Sequence, residues 1–216
     1  MTVPPRTVGL MGGSFNPAHG GHRAIALQTL AALALDEIWW LVSPGNPLKD
    51  GQDMAPLAKR YASAMTMARR APIRPTVIEQ DLRTRYTVDT LRALRRRYPH
   101  IRFVWIMGAD NLRQFHRWKD WRTIARTMAI AVIARPGYDD GVHGTPAMTW
   151  LRRFVLRSHQ RGSWTQWRLP ALVHLRFRPD PRSATQLRRA DPHWHLSHDQ
   201  TSIRDAVTHR AIPVKE

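Results

Sequence analysis

The segment VGLMGGSFNPAHGGH, residues 8–22, decides the fold of this chain of 216 residues. Its first four residues form a short apolar run that ends at a glycine pair, as a short buried strand does. The helix that follows carries apolar side chains at i, i+3, i+4, i+7 and i+8, which are Leu27, Leu30, Ala31, Ala34 and Leu35. A second apolar run, residues 38–42, ends at a Ser-Pro-Gly-Asn-Pro cluster. This spacing predicts one strand–helix–strand unit with a right-handed crossover.

The same alternation continues along the chain. A helical face is made by Leu57, Tyr61, Ala64, Met65 and Ala68. Strands are predicted at 76–78, 101–107 and 128–134, and helices after Thr87, which could cap its helix, and at 121–127. At least five such alternations are typical of an α/β protein with a Rossmann-like, doubly wound, mainly parallel sheet. We predict a Rossmann-like sheet core at residues 1–135 and a small C-terminal helical subdomain at residues 136–216, with a helix at 147–156 and a strand at 172–177.

The composition excludes several classes of protein. The chain has no cysteine, which rules out a disulfide scaffold, a zinc–thiolate site and a cysteine nucleophile, and fits a reducing compartment. Its 34 basic and 16 acidic residues give a formal net charge of +18, and 30 of the basic residues are arginines spread along the chain. Because these arginines form no single block, an attraction for small phosphorylated anions is favoured over a dedicated nucleic-acid surface.

Neither a leader peptide nor a membrane span is expected. The residues before the first glycine pair are too few for the apolar region of a signal peptide. The longest apolar stretch, residues 25–35, is interrupted by Gln28 and Thr29 and is too short to cross a bilayer. These features predict a soluble protein of the cytoplasm that does not bind membranes.

The loop between the first strand and the first helix is the strongest candidate binding site. Its glycines let the backbone approach a ligand, and the helix that begins near Gly20 directs free N–H groups toward that ligand. His19 and His22 at this helix start can both face a bound anion and stabilise charge on a leaving group. Two other interpretations stay open: a tight turn with a structural histidine pair, and half of a metal site for which the loop supplies no third ligand. The loop matches neither the Walker pattern nor G-x-G-x-x-G.

The pattern Gly-Gly-Ser-Phe-Asn-Pro-x-His-x-Gly-His resembles the signature of the bacterial nicotinate-mononucleotide adenylyltransferases. These enzymes belong to the nucleotidyltransferase superfamily named for its His-x-Gly-His motif. Further segments resemble that family in the same order, namely Pro44–Lys49, Tyr86–Leu91, Met107–Asn111 followed by Trp118, and Ser183–Arg188. The resemblance spans residues 8–188.

The resemblance implies a role for each matched residue. ATP is expected to bind to Gly12, Gly13, Ser14, Phe15, His19, His22, Ser183, Thr185 and Arg188. The mononucleotide pocket is expected to contain Asn16, Lys49, Thr87, Gly108, Asp110 and Trp118, with the tryptophan stacked on the pyridine ring. The expected catalytic residues are His19, His22, Lys49 and Arg188, and the protein is expected to supply no metal ligand.

The resemblance also implies the reaction: ATP and nicotinate mononucleotide give nicotinate adenine dinucleotide and pyrophosphate, a step of NAD biosynthesis. The attacking phosphate oxygen is already ionised at neutral pH, so the enzyme has to position the reactants and offset negative charge. We therefore expect no covalent intermediate, with Mg²⁺ arriving together with ATP. A homo-oligomer is left open.

Some features depart from the family pattern. The 28 residues after Arg188 are rich in histidine and arginine, and Thr201–Arg204 has the wrong spacing for a second phosphate motif. The segment from Arg157 to Arg168 has no family role. The alternatives are preference for nicotinamide mononucleotide, a phosphopantetheine adenylyltransferase or cytidylyltransferase of the same superfamily, and, in a different class, a basic nucleic-acid-binding module.

Overall fold

The computed structural model describes residues 5–45, 54–134, 144–178, 180, 182–198 and 203–213, with the Ser158 side chain left aside. The strands in this part of the chain are β1 (Arg6–Gly13), β2 (Glu37–Val42), β3 (Ile73–Thr76), β4 (Ile101–Gly108), β5 (Ala129–Ile133), β6 (Val155–Leu156), β7 (Leu172–Leu175), β8 (Ile203–Arg204) and β9 (Ala211–Ile212). The α-helices are α1 (Gly20–Ala32), α2 (Leu57–Ala68), α3 (Ile78–Asp81), α4 (Thr87–Arg97), α5 (Ala109–Gln114), α6 (Trp121–Thr127), α7 (Pro146–Leu151) and α8 (Ala184–Ala190). Short 3₁₀ helices lie at Phe115–Arg117, Arg152–Phe154, Ser158–Gln166 and Trp194–Ser197.

Seven strands form one sheet in the order β3-β2-β1-β4-β5-β7-β6, and each neighbouring pair is parallel. The chain builds outward from β1 to β3 and then returns to place β4 on the other side of β1. Open parallel sheets bind ligands beyond the carboxyl ends of the strands at such a reversal. The predicted Rossmann-like α/β fold is confirmed, and the loops after β1 and β4 lie at the reversal point.

Helices cover both faces of the sheet. In β2 all six residues are buried, and alternate side chains enter opposite layers. Trp39 packs in the layer that contains Leu91 of α4, whereas Trp40 packs in the layer that contains Tyr61 of α2. A strand buried on both faces reads as a continuous apolar run, which is why these strands are visible in the sequence.

The end of helix α1 differs from the prediction. The helix stops at Ala32, and Ala34 lies outside it in a left-handed conformation with φ of 48°. Ala31 and Ala34 are exposed, so the predicted apolar face is wrong at these two positions. The chain turns here so that Leu33 and Leu35 enter the core instead.

Two other boundaries shift by a few residues. Strand β3 ends at Thr76, and Ile78, which was assigned to that strand, begins helix α3. Thr87 is the first residue of α4 and not its cap, because Tyr86 occupies the cap position without a side-chain hydrogen bond. Helical spacing alone does not locate the first residue of a helix to better than one or two positions.

The C-terminal part of the chain is tied to the sheet. The predicted helix at 147–156 is α7 followed by a 3₁₀ turn and β6, and both β6 and β7 extend the main sheet beyond residue 135. The Trp164 indole N–H donates to the Leu33 carbonyl over 2.9 Å, which gives the segment after Arg157 a packing role. The buried Asp205 carboxylate accepts from the Thr76 hydroxyl and the Val77 N–H over 3.0 and 2.7 Å. Among the described residues, no helix is both long and apolar enough to span a bilayer.

Candidate active site

His19 and His22 form reciprocal capping hydrogen bonds at the start of helix α1. His19 is the N-cap residue, and its Nδ1 accepts from the Gly21 N–H over 3.1 Å. Nδ1 of His22 accepts from the His19 N–H over 3.2 Å, so the pair forms a reciprocal capping box. The ring centroids lie 3.8 Å apart. A Cβ on Gly21 would lie 2.9 Å from the His19 ring, so a larger residue here would displace that ring.

This capping determines which ring nitrogen carries the proton. A nitrogen that accepts a hydrogen bond is unprotonated, so in both neutral imidazoles the hydrogen lies on Nε2. The two rings are therefore oriented as donors through Nε2, the form that can bind a phosphate oxygen. A structural role for the pair and a donor role are compatible, because the two roles use different nitrogens of each ring.

The loop before the histidines packs tightly against the sheet. Phe15 is buried, with its ring 5.0 Å from the Trp40 ring, and it holds a left-handed backbone conformation with φ of 47°. A Cβ on Gly12 would lie 2.8 Å from the Trp105 ring. Phe15, which the resemblance places among the ATP-binding residues, is buried beneath the loop, and Gly12 near the end of β1 leaves room for the Trp105 ring of β4.

Sequence reasoning missed Arg60, which holds this loop in place. The residue is buried on α2, and its guanidinium donates to the carbonyls of Ser14, Ser43 and Ala55 over 2.7–2.8 Å. Burial lowers the pKa of Arg60 to about 10, so it stays charged at neutral pH. Arg60 therefore ties the loop after β1 to the loop after β2. Its position three residues after Leu57, on the apolar side of α2, was the available signal.

A cavity of about 740 Å³ opens at the carboxyl edge of the sheet. Its walls come from the ends of β1, β2, β4 and β5 and from the segment before α8. The predicted site residues that line it are Gly12, Gly13, Ser14, His19, His22, Thr87, Gly108, Asp110, Trp118, Ser183 and Thr185. One cavity thus brings together residues that lie more than 160 positions apart in the chain.

The remaining predicted residues are placed differently. Asn16 is buried, and its side-chain oxygen accepts from the Ala55 N–H over 3.2 Å. Arg188 does not line the cavity; its Nη1 donates to the Asn16 carbonyl over 2.6 Å. Both residues support the loop from behind. Lys49 lies outside the described residues.

One end of the cavity is aromatic and positively charged. Trp118 packs edge-on against Phe115 and Trp105, with ring centroids 5.4 and 6.4 Å away. Lys119 lies 4.6 Å from the Tyr86 ring centroid. The cavity also takes in charged residues that sequence reasoning missed, which are Glu79, Arg85, Arg117, Lys119, Arg178, Asp180 and Arg182. Glu79 lies in α3, Arg117 ends a 3₁₀ helix and the others lie in loops, and none of them belongs to one of the five sequence motifs.

Glu79 is an unusual carboxyl group in this cavity. It accepts from the Thr90 hydroxyl over 3.2 Å, and Thr90 in turn contacts the Thr84 hydroxyl over 2.8 Å. Burial raises the pKa of Glu79 to about 7. The protonation state of this wall of the cavity therefore changes near neutral pH.

The sequence matches known proteins over most of its length. A family model described as cytidylyltransferase-like matches residues 10–190. A probable nicotinate-nucleotide adenylyltransferase of Erythrobacter litoralis is 62% identical over 98% of this chain and 96% of that protein. Another, from Parvibaculum lavamentivorans, is 48% identical over 87% of this chain and 94% of that protein. The chain belongs to the nicotinate-nucleotide adenylyltransferase family. The family resemblance carried by the five sequence motifs is thereby confirmed.

A solved structure supports the same fold. The nicotinic acid mononucleotide adenylyltransferase of Plasmodium falciparum, complexed with NaAD, superposes with a TM-score of 0.62. It covers 85% of this chain and 83% of its own, at 15% sequence identity. At that identity the likeness concerns the backbone arrangement, and the family assignment rests on the sequence relatives.

Proposed function

We propose that this chain transfers the adenylyl group of ATP to nicotinate mononucleotide, as a cytoplasmic enzyme of NAD biosynthesis. A phosphate oxygen of the mononucleotide forms a bond to the α-phosphorus of ATP. The bond from that phosphorus to the oxygen bridging to the β-phosphate breaks, and pyrophosphate leaves with its electron pair. The observation that carries the proposal is the shared cavity, which places the His19–His22 pair and the residues Asp110 and Trp118 on the walls of one space.

The histidine pair serves the phosphate chemistry. Because Nδ1 of each ring accepts a backbone hydrogen bond, each Nε2–H donates to the oxygens of the α-phosphate and the departing pyrophosphate. No proton needs to be removed from the nucleophile. Lys49 and Arg188 add positive charge, with Arg188 acting next to the Asn16 carbonyl. Ser183 and Thr185 bind ATP from the opposite wall.

The aromatic end of the cavity receives the mononucleotide. In this proposal, Trp118 presents a face to the pyridine ring while its edges stay packed against Phe115 and Trp105. Thr87 begins helix α4, and the N–H groups of that first turn attract the nicotinate carboxylate. Gly108 and Asp110 contact the ribose-phosphate part.

The divalent cation of the reaction fits a site made mainly by phosphates. The described residues contain no group of three or more histidine or carboxylate side chains that could hold a metal. Mg²⁺ keeps several waters and binds through substrate phosphates with one or two protein ligands, so a sparse set of protein ligands suits it. We propose that Mg²⁺ enters with ATP and neutralises phosphate charge when bound.

The test is an assay of pyrophosphate release from ATP and Mg²⁺ with one acceptor at a time. Nicotinate mononucleotide is expected to be the best acceptor, ahead of nicotinamide mononucleotide and phosphopantetheine. A higher kcat/KM with either of the other acceptors would overturn the proposed substrate. Salt-dependent binding to duplex DNA without any adenylyl transfer would overturn the enzyme class.

A further inference from the structure

Arg182, which immediately precedes the Ser183 motif, lies directly over the first turn of helix α1. A methyl group on Gly20 would lie 2.1 Å from both its guanidinium carbon and its Nη1. Arg182 also lines the cavity together with His19 and His22. The guanidinium is therefore next to the expected phosphate site, although nothing in the sequence pattern marked it.

The electrostatic surroundings of Arg182 are unbalanced. The N-terminus of a helix carries a partial positive charge, and the first turn of α1 contains no acidic side chain. A cation over this helix end is repelled unless an anion joins it. The nearby anion is Asp180, whose two carboxylate oxygens accept from Nε and Nη2 of Arg182 and whose Oδ1 also accepts from the Arg182 N–H over 3.0 Å.

The Asp180 carboxylate binds the Arg182 guanidinium in the way that a phosphate group would. A bidentate contact between a planar fork and two oxygens is the geometry that arginine offers to carboxylate and phosphate alike. The hydrogen bonds from Arg182 hold the pKa of Asp180 well below its usual range, so Asp180 is ionised at neutral pH. Within the part of the chain that the structure describes, Nη1 of Arg182 donates no hydrogen bond. Donors thus remain above Gly20 for a second anion.

We infer that Arg182 is a further ligand of the ATP polyphosphate and that the Asp180 carboxylate competes with the phosphates for it. This inference rests on the proposed function, because it assigns a residue to the same site. Binding of the polyphosphate replaces the Asp180 oxygens on the guanidinium fork and also uses Nη1. The positive charge over the start of α1 is then balanced by a multiply charged anion.

The experiment measures binding of inorganic tripolyphosphate to the full chain by calorimetry. Arg182→Gln is expected to weaken binding at least about tenfold, since it removes a charged hydrogen-bonding group. Arg182→Lys should give an intermediate loss, because lysine keeps the charge without the fork. Asp180→Asn should strengthen binding severalfold. Arg189→Gln, an exposed position outside the cavity, is the matched control for loss of one positive charge and should stay within about twofold of the parent chain.

The outcomes separate this inference from the proposed function. Equal tripolyphosphate affinity in Arg182→Gln and Arg189→Gln would overturn the role of Arg182, and weaker binding by Asp180→Asn would overturn the competition. The Arg182 side chain is 59% exposed, so the variants are expected to fold. In the transfer assay, Arg182→Gln should raise the KM for ATP and leave the KM for nicotinate mononucleotide unchanged. Arg182-dependent tripolyphosphate binding in a chain without adenylyl transfer would refute the proposed function alone.

Discussion

Replacing Arg60 with methionine tests whether a buried cation holds the loop after β1, which leads to the His19–His22 pair. Methionine keeps the apolar stem and removes the donors to the carbonyls of Ser14, Ser43 and Ala55. A buried acceptor left without its donor costs about 1–3 kcal/mol. Ser14 and Ser43 border the cavity, where water can replace part of the loss, so each of the three bonds is taken at the lower end of that range. The expected loss in the free energy of unfolding is about 3 kcal/mol.

Arg60→Met should lower enzymatic activity by more than its loss of stability can explain. The loop held by Arg60 leads directly into the His19–His22 pair, and a displacement of about 1 Å in a positioning element can cost about a hundredfold in rate. Urea denaturation at 25 °C measures stability, and pyrophosphate release at a temperature where the variant is folded measures turnover. Arg69→Met, an exposed arginine at the end of α2, is the control and should change stability by less than about 0.5 kcal/mol. An Arg60→Met protein as stable and as active as the control would refute the reasoning, and Arg60→Lys should fall between the two.

Three other substitutions test separate parts of the site. His22→Ala should reduce kcat at least about a hundredfold, because one transition-state donor is lost. His22→Asn can still accept from the His19 N–H, so it should be more stable than His22→Ala but equally slow. Near-normal turnover in either variant would exclude the donor role. Trp118→Ala should raise the KM for nicotinate mononucleotide about tenfold, because stacking on the pyridine ring is lost, and should leave the KM for ATP unchanged. An unaltered KM for the mononucleotide would show that Trp118 does not bind it. Burial raises the pKa of Glu79 in the folded state from 4.5 to about 7. Between these pH values the folded state binds the Glu79 proton more strongly than the unfolded state, so the free energy of unfolding falls as pH rises. The melting temperature of Glu79→Gln minus that of the parent chain should therefore increase from pH 4.5 to pH 8, and a constant difference would contradict the buried-carboxyl interpretation.

The sequence alone determined the alternation of the main strands and helices and the location of the loop after β1. Parallel strands buried on both faces must be continuous apolar runs, so β1, β2, β4 and β5 are visible without any coordinates. The first loop is equally visible in the sequence. The periodicity of helices and strands does not account for a glycine pair followed by two histidines at a helix start. Strand burial and helix capping depend on residues that are adjacent in the sequence, so the sequence shows both.

Tertiary structure decided what lies behind and opposite that loop. Arg60 and Arg182 meet groups that folding brings to them, namely the carbonyls of Ser14 and Ser43 for Arg60 and the first turn of α1 for Arg182. The same holds for Arg188, whose Nη1 donates to the Asn16 carbonyl, 172 positions earlier in the chain. Hydrogen bonds of buried charged groups depend on which backbone carbonyls come within reach, and that is settled by the packing of whole elements, not by the residues that flank the charge.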